Sequence, residues 1–199
     1  MADDKSGRDK QARDAERRQR KRDLAIELER SDETEPPVEE RELGDLEAEL
    51  ESLEFPATGT EVVAAVGDRT VASADGSYPV EELVPATDAE AFGSPEAVRA
   101  RVQRPTVAAA MKRVVEAGEE LPNGELGRSQ REAYEKTFRA LTAIDADDDD
   151  EGVRAVADWI VEQVAEKGKV PDSRGVRRQA AKFCRANGYE VRNDEWLGV

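Results

Sequence analysis

Apolar residues recur three or four positions apart along most of the chain, which is the spacing that gives a helix one buried face. This spacing predicts helices over 43–53, 58–66, 94–103, 106–117, 129–144, 153–167 and 172–186. Residues alternate instead at 69–73 and 77–80, on either side of Asp75-Gly76, a dipeptide typical of hairpin turns. We therefore predict an α+β fold that is mainly α with a small β-hairpin.

Capping residues, glycines and prolines divide this pattern into modules. Thr58 and Glu61 have the spacing of a capping box, and Pro95 directly follows Ser94 at the start of another helix. The glycines and the proline of 118–128 are typical of a hinge. The resulting units are a central helix-hairpin-helix module over 55–117, the hinge over 118–128, and a C-terminal tri-helical unit over 129–199 that resembles a helix-turn-helix.

The beginning of the chain differs from the rest because its charge changes sign. Residues 1–40 are predicted to be a flexible charged tail, and five of the six residues at 17–22 are basic. The tail is either a solvated segment or a basic arm for nucleic acid or an acidic partner. Residues 41–54 are predicted to form an acidic amphipathic helix with one leucine face. The leucines of this face are Leu43, Leu46, Leu50 and Leu53.

That leucine face needs a covering surface, either in this chain or in another protein. The basic tail could also fold against the acidic side of the helix, because the two adjacent segments have opposite charge.

The last predicted helix separates basic from apolar residues more completely than any other stretch. Its apolar side carries Val176, Ala180, Phe183 and Cys184, and Asp172 or Ser173 is placed to cap its start. We predict that Phe183 is a core residue. The opposite side carries the candidate partner-binding residues Arg174, Arg177, Arg178, Lys182 and Arg185.

Composition changes how the acidic runs are interpreted. The 199 residues include 46 Asp and Glu against 30 Lys and Arg, which gives a net charge of −16, and arginine greatly outnumbers lysine. This composition resembles that of proteins from salt-in halophilic archaea. At about 1 M salt the Debye length is about 3 Å, so an acidic run is interpreted first as solvated surface. With no long apolar run and no apolar N-terminal segment, we expect a cytoplasmic protein without a membrane span.

Three segments of the central module carry a family resemblance. FPATGTEVVAAVGDR, DGSYPVEELVP and FGSPEAVRARV resemble a conserved haloarchaeal domain of unknown function, over about 53–117. They are also similar to small bacterial domains that pair a PAT-type helix start with an SPEEV-type helix. The matching motifs are helix caps and turns, so the resemblance implies a fold and a haloarchaeal cytosolic protein, and it transfers no active-site residue.

Residue types needed for most enzyme chemistry are missing. The sequence has no histidine, one cysteine and no phosphate-binding glycine motif. Asp145, Asp147 and Asp149 have the spacing of calcium ligands, but Asp150 and Val156 stand where an EF-hand needs glycine and glutamate. We therefore expect a protein that is not an enzyme, with no catalytic residues, no cofactor, no metal and no small-molecule substrate.

Two functions stay open for the basic helix. The first is an interaction or adaptor protein that binds a protein partner. The alternative is a nucleic-acid-binding protein of helix-turn-helix type, which is opposed by the loss of phosphate affinity in concentrated salt.

Overall fold

The computed structural model describes residues 36–73, 76–122, 126–144 and 150–189. Its helices are α1 (Gly44–Leu50), α2 (Gly59–Val66), α3 (Val80–Leu83), α4 (Pro95–Val102), α5 (Pro105–Glu119), α6 (Arg128–Ile144), α7 (Glu151–Lys167) and α8 (Ser173–Ala186). Its strands are β1 (Ala57–Thr58), β2 (Thr70–Ser73), β3 (Gly76–Pro79) and β4 (Ala91–Phe92). The predicted fold, mainly helical with a small hairpin, is confirmed. Predictions for residues 1–35, for the acidic run 145–149 and for the chain beyond 189 lie outside the described residues.

The hairpin and the helix before it form as their sequence signals predict. Strand β2 pairs with β3 in antiparallel register, with Val71 opposite Tyr78, and the Val71 side chain is buried. At the start of α2 the Thr58 hydroxyl accepts from the Glu61 amide, while the Glu61 carboxylate accepts from the Thr58 amide at 2.7 Å. These reciprocal bonds satisfy amides that the helix itself leaves unpaired.

A loop that the sequence pattern did not predict closes over the same helix start. Strand β4 pairs with β1, and the Glu90 carbonyl accepts from the Gly59 amide at 2.8 Å. Gly59 is required at this position, because a Cβ there would lie 2.1 Å from the Pro85 carbonyl oxygen. Pairing of two-residue strands leaves no alternating pattern in the sequence to detect.

The leucine face of the acidic segment is covered within this chain. A 3-10 turn, Glu40–Leu43, leads into α1, and Leu43, Leu46 and Leu50 are buried against α2 and α4. Leu53 packs at the edge of the same cluster. The helix ends at Leu50, earlier than predicted, and the Ser52 hydroxyl donates to the Glu49 carbonyl at 2.6 Å in its last turn. The sequence left open whether this chain or another protein covers the leucine face. In the structure, this chain covers it.

Buried side chains form two apolar clusters, and α5 takes part in both. The N-terminal cluster contains residues of α1, α2, α3 and α4, together with Ala108 of α5. The C-terminal cluster joins α6, α7 and α8 to an adjacent face of α5 through Val107, Met111 and Val114. The three C-terminal helices contact one another pairwise, and α5 packs along α7 as a fourth helix. The division into separable units at 118–128 stays a prediction.

One predicted core residue of α8 lies differently. Val176, Ala180, Ala181 and Cys184 are buried, whereas Phe183 is half-buried and stacks on Tyr189 with ring centroids 6.2 Å apart. The prediction that Phe183 is a core residue is corrected to a position at the edge of the C-terminal cluster, and Ala181 occupies the inward position instead.

Candidate functional site

Two hydrogen bonds from α6 hold the turn that joins α7 to α8. Gly168 ends α7 in the left-handed conformation, with φ of 60°, and the Asp172 carboxylate caps α8 by accepting from the Gly175 amide at 2.6 Å. Between these residues the Pro171 carbonyl accepts from the Gln130 side-chain amide at 2.7 Å and from the Tyr134 hydroxyl. The orientation of α8 is therefore set by partly buried polar contacts as well as by the loop.

The Tyr134 hydroxyl in this contact is held in its protonated form. Burial raises the pKa of Tyr134 to about 12, and the nearby Asp172 carboxylate acts in the same direction. The hydroxyl also accepts from Gln130 at 3.1 Å, which partly opposes the increase of the pKa. A neutral phenol can donate to the Pro171 carbonyl at any pH below this range.

The predicted partner-binding residues of α8 divide into an exposed stripe and one half-buried residue. The exposed members, which we call the α8 basic stripe, are Arg174, Arg178, Lys182 and Arg185. Their spacing of three or four residues puts them on one face over about 16 Å, at about 1.5 Å per residue. Arg177 lies beside the apolar face instead, half-buried, and its Nε is buried without a hydrogen-bond partner.

The stripe side chains have no ion pairs, unlike most other basic residues in the described part of the chain, although Arg154, Lys167 and Lys169 also have none. Elsewhere arginines meet carboxylates, as in Arg69 with Glu49 at 2.9 Å and Arg99 with Glu47 at 3.3 Å. Within the described part of the chain, none of the stripe side chains forms an ion pair or a hydrogen bond. This holds in a chain with 46 acidic residues, so scarcity of carboxylates is not the reason.

A groove runs between α7 and α8, and we call it the α7–α8 groove. Its volume is about 440 Å³. Its lining residues are Trp159, Gln163, Lys167, Lys169, Pro171, Asp172, Gly175, Arg178, Gln179 and Lys182. Four of these side chains are cationic, and the single carboxylate, Asp172, is already engaged by the Gly175 amide. The groove is therefore basic, with Trp159 in its wall.

The groove adds residues that were missing from the candidate site. Trp159 packs against the C-terminal cluster, while part of its half-buried side chain lines the groove. Trp159, Gln163 and Lys167 follow one another at intervals of four residues on α7. This spacing is visible in the sequence and indicates that the three side chains share one face of the helix. Lys169 lies in the turn, and nothing in its sequence context predicts its position.

A second polar assembly lies inside the fold. In this buried ionic cluster Arg101 donates to Glu90 at 2.7 Å and lies 3.4 Å from Glu135, which also pairs with Arg139 at 2.6 Å. Arg131 lies 4.0 Å from Glu90 and donates to the carbonyls of Ala89 and Leu126. Side chains of Arg101 and Glu90 are only 8% and 5% exposed. The cluster links β4 and α4 to α6, so its role is structural.

Comparison with known proteins identifies a match for the first half of this architecture. A family of unknown function, DUF5789, matches residues 40–114. The matched range contains the N-terminal cluster apart from Val38 and most of α5, while the α8 basic stripe and the α7–α8 groove lie outside it. No curated protein and no solved structure matches the chain. In the part of the chain that is described, no helix combines the length and apolar character needed to cross a bilayer.

Proposed function

We propose that this chain is a non-enzymatic interaction protein that binds an acidic protein partner through the α8 basic stripe. The observation that supports this is the absence of ion pairs along the stripe, among the residues described, in a chain of net charge −16. Like charges three or four positions apart destabilise a helix by a few tenths of a kcal/mol per pair. A bound row of carboxylates would remove that repulsion and supply charge-assisted hydrogen bonds to the guanidinium groups.

A second candidate is binding to nucleic acid. It is favoured by the arrangement of α6, α7 and α8, in which the last of three packed helices presents the basic stripe outward, as a recognition helix does. It is opposed by the charge of the chain and by salt. Binding through about five phosphates would lose roughly 4.5 decades of affinity per tenfold increase in salt concentration.

The cellular setting belongs to the same proposal. We place the protein in the cytoplasm of a halophilic archaeon, which is supported by the excess of 46 acidic over 30 basic residues. In concentrated potassium chloride only charges in contact interact strongly. A partner would therefore need direct, geometrically matched carboxylate contacts with the stripe.

The test uses Arg178→Glu with Arg185→Glu in the full-length protein. Surface substitutions change stability by about 0.5 kcal/mol or less each, so the melting temperature is expected to change little. We expect the protein partner captured by the wild type in concentrated potassium chloride to be lost, and the loss to be reproduced with purified components. The matched control, Arg113→Glu, reverses an exposed charge on α5 that already pairs with Asp158 at 2.5 Å.

Each outcome of this test decides between the candidates. Retention of every wild-type partner by the double variant would contradict the role of the stripe. Binding of DNA or RNA at that salt concentration, lost in the double variant, would support the second candidate instead.

A further inference from the structure

We propose that the α7–α8 groove is an anchor site, in which an acidic peptide of the partner seats one apolar side chain against Trp159. The inference rests on the proposed function and deepens it, because it assigns a partner chemistry to a place beside the stripe. Arg178 and Lys182 belong to both the stripe and the groove, so a peptide lying along α8 would pass the groove mouth.

The size and wall composition of the groove suit a single anchor. Its volume of about 440 Å³ lies at the small end of the range of ligand sites, which is about 300–1,000 Å³. Trp159 is supported from behind by the C-terminal cluster, so it offers a rigid apolar surface. A rigid aromatic residue surrounded by polar groups is the usual composition of an energetically dominant contact.

The cations of the groove come from both of its walls. Lys167 and Lys169 come from the end of α7 and the following turn, and Arg178 and Lys182 come from α8. Carboxylates that flank an apolar residue in a peptide can therefore be bound by cations of either wall. The side-chain amides of Gln163 and Gln179 line the same groove and can pair with the peptide backbone.

A phosphate backbone fits this site less well than a peptide does. Glu162 and Glu166 are exposed on α7 and directly precede the groove residues Gln163 and Lys167. An extended polyanion that passes α7 would approach these carboxylates, whereas a short peptide can place neutral residues there. The observations therefore favour an acidic peptide with an apolar centre over single-stranded nucleic acid.

Two synthetic peptides test the anchor. Each has about nine residues, mainly Glu and Gly, which in extended form exceeds the length of the stripe. One carries a central Leu and the other a central Ser at the same place. Labelled peptides are titrated with the full-length protein by fluorescence anisotropy, at the lowest salt at which circular dichroism shows it folded. We expect the Leu peptide to bind about tenfold more tightly, which corresponds to about 1.4 kcal/mol.

Variants separate the groove from the stripe. Gln163→Phe fills the groove from the α7 wall without removing a core residue, and it is expected to abolish the preference for the Leu peptide. Trp159→Ala should do the same, with circular dichroism to verify folding. Lys169→Glu should weaken both peptides, whereas the matched control Arg154→Glu, exposed on α7 and not part of the groove lining, should leave both unchanged.

The outcomes distinguish the two proposals. Equal affinity for the two peptides, weakened by Arg185→Glu, would overturn the anchor and leave the stripe as the binding surface. Failure of both peptides to bind the folded protein would contradict the proposed function as well. If a thymidine oligonucleotide binds more tightly than either peptide, and Gln163→Phe abolishes that binding, the peptide assignment is overturned and the groove is a nucleic-acid site.

Discussion

Replacing Arg101 with methionine should destabilise the protein more than any other single change of a charged residue that we can identify. The side chain is 8% exposed and donates at 2.7 Å to Glu90, which is 5% exposed. Removing the arginine leaves Glu90 buried, with Arg131 at 4.0 Å as its remaining cation. Loss of one partner from a buried ion pair costs about 3–5 kcal/mol, because the other charge stays away from water.

Two further contacts adjust this magnitude. Arg101 lies 5.9 Å from the centre of the Phe92 ring, so a cation–π contribution of about 0.5–2 kcal/mol is lost as well. The lost contact with Glu135 contributes less to the destabilisation, because Glu135 is 19% exposed and keeps its ion pair with Arg139 at 2.6 Å. We therefore expect a decrease of about 3.5–7 kcal/mol in the free energy of unfolding, a large fraction of the roughly 5–15 kcal/mol typical of a domain.

The measurement is urea unfolding at constant potassium chloride concentration, followed by circular dichroism. The matched control is Arg99→Met, two residues earlier on α4, which removes an ion pair with Glu47 between partly exposed side chains. Such pairs contribute about 0–1 kcal/mol. A second comparison is Arg101→Met with Glu90→Gln, which should recover part of the loss because the buried carboxylate of Glu90 is replaced by a neutral amide, while Arg131 keeps its bonds to the Ala89 and Leu126 carbonyls. Equal destabilisation by Arg101→Met and Arg99→Met would refute the reasoning.

Three further predictions follow from other contacts. Gly59→Ala should cost about 1–3 kcal/mol, because its Cβ would lie 2.1 Å from the Pro85 carbonyl oxygen, whereas Gly44→Ala, with open space around it, should not destabilise. Ionisation of Tyr134, whose pKa is about 12 against about 10 unfolded, should remove about 2–3 kcal/mol between pH 10 and 12, and Tyr134→Phe should lack this loss in urea titrations. The helical circular dichroism signal should fall from about 3 M to about 0.1 M potassium chloride, and an unchanged signal would count against halophilic adaptation.

Local signals in the sequence predicted local structure well. The capping box at Thr58 and Glu61, the hairpin of β2 and β3 and the proline start at Pro95 each depend on residues within a few positions of one another. The pairing of β1 with β4 and the ionic cluster depend on residues far apart in the chain. With so many carboxylates in the sequence, nothing marks Glu90 as the buried one.

The face of α8 shows how a small angular error changes a site. At about 100° per residue, Phe183 lies about 100° from Cys184, while Arg177 lies only about 20° from it. The helix is turned so that Ala181 faces the C-terminal cluster, which half-buries Arg177 and leaves Phe183 at the edge. Small residues on α8 allow this rotation, because Ala180 and Ala181 fit closely against the neighbouring helices.

The buried ionic cluster connects the matched part of the chain to the candidate site. Glu90 and Arg101 lie within residues 40–114, whereas Glu135 and Arg139 lie on α6 outside that range. Helix α6 also carries Gln130 and Tyr134, which hold the turn before α8. Weakening the cluster should therefore loosen the orientation of α8 as well as the core. In a variant that still folds, such as Arg101→Met with Glu90→Gln, a change in peptide affinity without any change in the groove residues would reveal that connection.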